Sequence, residues 1–91
     1  MLIVVCYDIP NNKRREKLRK SLLMFGNPVQ FSVFECDLTK RQLEKMTRII
    51  RGIMEQAEDN VRYYQLCNLC VESAEIFGGK PLAETKPVYV V

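Results

Sequence analysis

The chain predicts an α+β fold of ferredoxin-like type, a mainly antiparallel sheet with two helices packed on one face. Three observations carry this reading. An apolar, β-branched run, LIVVCY at residues 2–7, opens the chain. Two stretches with helical apolar spacing follow it. Segments rich in β-branched and aromatic residues flank both stretches, so the predicted order is strand, helix, strand, helix, strand, strand.

LIVVCY is apolar on consecutive positions, which predicts a central strand covered on both faces. Asp8-Ile9-Pro10-Asn11-Asn12 ends it, because proline cannot continue a central ladder and asparagine favours turns and helix caps. Leu18, Leu22 and Phe25 then recur at spacings of four and three, predicting a helix that Gly26 and Pro28 stop. VQFSVFEC, residues 29–36, sets Val29, Phe31 and Val33 against Gln30, Ser32 and Phe34, the period of two expected of one strand. Thr39-Lys40-Arg41-Gln42 is a capping box, and Leu43, Met46, Ile50, Ile53 and Ala57 form the apolar stripe of the helix it opens. Glu58-Asp59-Asn60 closes that helix. VRYYQLCNLCVES, residues 61–73, predicts a strand and a second short one after a turn near Asn68. Tyr63 and Tyr64 lie on opposite sides of the first, one in the core and one exposed.

Residues 1–77 form the predicted domain; 78–91 hold a Gly-Gly-Lys-Pro linker and a terminal strand, KPVYVV. Apolar side chains and backbone groups on that strand need cover, and a second subunit's sheet would supply it. A homodimer with C-terminal strand exchange is therefore expected.

Ninety-one residues allow one domain, and no apolar run approaches the roughly 20 residues of a membrane span. No basic leader precedes LIVV, so a cytoplasmic location without membrane attachment is expected. In that setting Cys6, Cys36, Cys67 and Cys70 are expected to be reduced and buried as small apolar groups. Cys67-Asn68-Leu69-Cys70 has the CxxC spacing of redox or copper-handling sites, but its place late in a strand or hairpin favours core packing.

There is no histidine. Its absence removes the commonest general base, the usual zinc ligand set and any Ser-His or Cys-His nucleophile. Net charge is +3, yet residues 1–20 alone carry six basic against two acidic groups. Lys13, Arg14, Arg15, Lys17, Arg19 and Lys20 thus form a basic patch suited to nucleic acid, or simply a solvated helix face. Asp8 stands directly upstream. A strand-end carboxylate is a hard oxygen ligand fit for magnesium or manganese; the competing reading is a turn or cap residue, which spacing alone favours. A dimer axis that paired two copies of Asp8 would make the metal site credible. Arg14 and Arg15, one turn before Leu18, lie where a guanidinium can lean back toward that strand end and grip a phosphate.

VVCYDIPNNKRREKLRKSL, VQFSVFECDL and EDNVRYYQL, in this order over residues 1 to about 66, resemble a known family. It is the small CRISPR-associated protein that partners the CRISPR integrase in spacer acquisition, a family of metal-dependent endoribonucleases. The resemblance implies a ferredoxin-like homodimer with strand exchange and a Mg2+ site built at the dimer interface from Asp8. It implies catalytic-site matches at Asp8, Tyr7, Arg14, Arg15 and Phe34. It also implies cleavage of single-stranded RNA or double-stranded DNA, or else a non-catalytic DNA scaffold that bridges integrase dimers.

Overall fold

The computed structural model describes residues 1–79 and 82. Its elements are β1 (Leu2–Asp8), α1 (Asn12–Leu22), β2 (Asn27–Gln30), β3 (Val33–Asp37), α2 (Lys40–Ile53), β4 (Asn60–Leu66) and α3 (Asn68–Ser73). The sheet runs β2-β3-β1-β4 with every neighbouring pair antiparallel. This is the βαββαβ ferredoxin-like arrangement, with the short α3 added after the last strand.

Three of the expected elements differ from the sequence reading. Residues 29–36 are not one strand but parts of β2 and β3, joined at Phe31-Ser32. Ser32 has φ 64°, a left-handed conformation that reverses the chain where the alternation of side chains had suggested continuity. The expected second strand near Asn68 is α3. Ala57 lies beyond α2, which ends at Ile53, so it does not extend the stripe. The terminal strand expected at KPVYVV lies outside the described residues.

The core forms where the helices meet one face of the sheet. Ile3, Val5 and Tyr7 of β1 and Phe34 and Cys36 of β3 meet Leu18 and Leu22 of α1 and Met46 and Ile50 of α2. Each large apolar side chain taken fully out of water there contributes about 1.5–3 kcal/mol. Asn11 caps α1 by accepting from the Arg14 amide at 2.9 Å. Thr39 and Gln42 complete the capping box of α2 at 3.2 and 2.8 Å. Gly26 lets the exit of α1 pass against β3, since a Cβ there would stand 2.3 Å from the Glu35 carbonyl oxygen and 2.5 Å from Cys36 Sγ.

The helix-free face was expected to be covered as well, but in this chain Val4 and Cys6 are only half-buried and Tyr64 is exposed. Tyr63, on the opposite side of β4, points into the core and shares a 3.1 Å hydrogen bond with Thr47 Oγ1. Two of the four cysteines also depart from expectation. Cys36 is buried and Cys6 half-buried, whereas Cys67 and Cys70 are both exposed. The reason is that Cys67 caps a surface helix whose inward-facing residue is Val71.

Candidate nuclease and nucleic-acid site

Asp8 is the last residue of β1 and pairs with Asn60, the first of β4. Strand alternation puts it on the helix-free face with Cys6 and opposite Asn60 and Arg62, and these residues line one open cleft. The Asp8 carboxylate is exposed and has no hydrogen bond or ion pair to another described residue. It is therefore not the turn-capping aspartate that spacing favoured, and its oxygens are available to an incoming ligand. Among the described residues no group of three or more acidic or cysteine side chains is placed to hold a metal. One chain thus offers one hard carboxylate at this position. That suits magnesium, which keeps most of its water and takes one or two protein carboxylates together with phosphate oxygens.

Of the other matched residues only Tyr7 borders the Asp8 cleft, as its chain neighbour. The Tyr7 and Phe34 rings lie on the helix side of the sheet, their centroids 6.4 Å apart. With Arg15, Glu16, Arg19 and the β2–β3 hairpin they line an apolar cleft of about 610 Å³. Burial raises the Tyr7 phenol above its ordinary value, so it stays protonated at neutral pH and cannot serve as a base.

Arg14 reaches across to the start of β4. Its Nε donates to Asp59 at 2.8 Å, and its Nη2 donates to Asp59 at 3.1 Å and to Glu58 at 2.6 Å. Asp59 is only 8% exposed and also accepts from the Glu55 amide at 2.8 Å. The Arg14 guanidinium first, and that amide after it, hold the Asp59 carboxyl below the usual carboxylate range. Sequence reading treated Glu58-Asp59-Asn60 as a helix stop and did not find this clamp. Its one signal was an acidic pair at the mouth of a strand, facing a helix full of arginine.

Arg15 does fold back toward the strand end. Its Nη1 donates to the Ile9 carbonyl at 2.9 Å, and its other terminal nitrogen to the Asn12 side chain. It braces the loop directly after Asp8. Arg19 pairs with Glu16 along α1 at 2.6 Å. The three arginines of the basic patch are therefore engaged within the chain. Lys13, Lys17 and Lys20 are exposed and make no hydrogen bond or ion pair among the described residues. Spaced by four and three, they share one side of α1 and line a shallow depression with Asn12 and Glu16.

The family model for CRISPR associated protein Cas2 matches residues 1–74. The chain belongs to the Cas2 family. The CRISPR-associated endoribonuclease Cas2 3 of Synechocystis is 40% identical over 94% of this chain and 91% of its own length. Among solved structures, a hypothetical protein of Thermus thermophilus superposes with a TM-score of 0.78 at 40% identity, covering 91% of this chain and 96% of that one. A partial Cas6-RT-Cas1–Cas2 complex contains a chain with a TM-score of 0.67 at 34% identity, covering 93% of each. Cas2 proteins are associated with CRISPR adaptation, and the family match spans every element described above.

Proposed function

We propose that this Cas2 is a cytoplasmic, divalent-metal-dependent endonuclease of spacer acquisition that cleaves phosphodiester bonds in single-stranded RNA, with double-stranded DNA as a second substrate. The observation that carries the reading is the unengaged Asp8 carboxylate, held rigidly at a strand end on a face that one chain leaves half-covered. A homodimer joined across that face, with its terminal strands exchanged, would bring two copies of Asp8 together to hold one Mg2+ or Mn2+. The ion would supply Lewis-acid polarisation of the scissile phosphate. Asn60 and Arg62 border the same cleft, where Arg62 can hold a phosphate oxygen. Lys13, Lys17 and Lys20 carry the flanking phosphates. Arg14 and Arg15 act at one remove, fixing the start of β4 and the loop after β1.

The test compares wild type with Asp8→Asn across a magnesium titration, on single-stranded RNA and duplex DNA, with binding measured in parallel. Cleavage should be lost at all metal concentrations while nucleic-acid affinity is retained. Undiminished cleavage by the variant would remove Asp8 from the chemistry.

The lysine stripe, together with the likeness to a chain of a Cas1–Cas2 complex, also favours a second reading: a non-catalytic DNA-binding scaffold bridging CRISPR integrase dimers. It needs the lysines and the dimer but not Asp8. Integration activity that survives Asp8→Asn but not loss of the lysines would select it.

A further inference from the structure

Cys67 and Cys70 lie at the end of the sheet remote from Asp8. Leu66 pairs with Leu2 at the beginning of β1, and Asp8 is six residues further along that strand, about 20 Å away at ordinary strand rise. The two sulfurs are 3.5 Å apart and both residues are exposed. The turn from β4 into α3 sets this spacing, because Cys67 is the cap and Cys70 stands in the first turn. Neither thiol takes part in the core, and neither faces the nuclease cleft.

We propose that Cys67 and Cys70 form a thiol–disulfide exchange site, with Cys67 the attacking and Cys70 the resolving thiol, whose substrate class is a low-molecular-weight disulfide such as glutathione disulfide. At 3.5 Å from Cys67 Sγ, the Cys70 sulfur stands within reach of a mixed disulfide formed there, which is what the second step requires. The environment divides the roles. The Cys70 backbone amide, and then its thiol, draw the Cys67 thiol below its ordinary value, while Cys67 raises that of Cys70. The buried Cys36 thiol, by contrast, is pushed up to about 11 and has no access to solvent.

The reaction balances as two exchanges. The Cys67 thiolate attacks one sulfur of the small disulfide, breaking its S–S bond, and releases one thiolate, which takes up a proton. Cys70 then loses its proton and attacks the Cys67 sulfur. The protein disulfide forms and the second small thiol leaves. Two electrons pass from the protein to the small disulfide, which is reduced to two thiols.

The experiment exposes the full-length protein to glutathione disulfide, then blocks free thiols and maps them by mass spectrometry. Wild type should form the Cys67–Cys70 disulfide and revert with reduced glutathione. Cys70→Ser should trap one glutathione on Cys67 faster at neutral pH than Cys67→Ser acquires one on Cys70. Failure of the wild type to form that disulfide would overturn the site. Equal trapping rates in the two variants would overturn the assignment of roles.

Discussion

With Nε and Nη2 spent on Asp59 and Glu58, Arg14 has only Nη1 left for any ligand. Its chief effect is then on stability, and the sign with pH follows from Asp59. That carboxyl is depressed in the folded state relative to its ordinary 3.8, so its contribution is present above that value and is lost as pH falls through and below it. Arg14→Ala should accordingly melt well below wild type at neutral pH, and the gap should close as the medium is acidified. Thermal scans from pH 7 to pH 3 check this; a gap that stays constant would deny the pairing. Loss of Lys13, Lys17 and Lys20 should do the reverse, leaving the melting temperature nearly unchanged. Replacing all three by alanine should flatten the dependence of log affinity on log salt by about 0.9 for each duplex phosphate contact removed, read by fluorescence anisotropy across a salt series.

α1, α2, β1 and β4 were legible because their signals are local: apolar periodicity, a capping box and an unbroken β-branched run. The β2–β3 hairpin was not, because its turn is Phe31-Ser32, with a serine in the left-handed region where Asn-Gly would have announced it. α3 was hidden for another reason. CNLCVES has too few residues for a helical period, and its one inward anchor, Val71, resembles a strand residue as much as a helix residue. Gly26 read only as a helix stop, although its tighter constraint is the approach to β3. Gly26→Ala should therefore cost about 1–3 kcal/mol in chemical denaturation, through overpacking against the Glu35 carbonyl and Cys36. A variant as stable as wild type would show that the α1 exit can yield.

For the whole molecule, the family and the position of Asp8 were readable from collinear motifs, whereas the division of labour among the cations was not. Six basic residues in one short segment look equivalent in sequence. Only packing shows that the arginines are paired within the chain and the lysines are exposed. The half-covered face bears on assembly in the same way. Under the proposed strand exchange, a chain truncated after Gly78 should dissociate at concentrations where full-length protein is dimeric. Sedimentation velocity at several loadings decides it, and an equally tight truncated dimer would place the interface elsewhere.

The lysines on α1 also have a length. From Lys13 to Lys20 the helix rises about 10 Å at 1.5 Å per residue. Along duplex DNA that is about three base-pair steps at 3.4 Å each. Under the proposed nucleic-acid reading α1 would thus be a ruler as well as a charged surface, graduated in nucleotides, and Arg14 and Arg15 fasten one end of it through the start of β4 and the loop after Asp8.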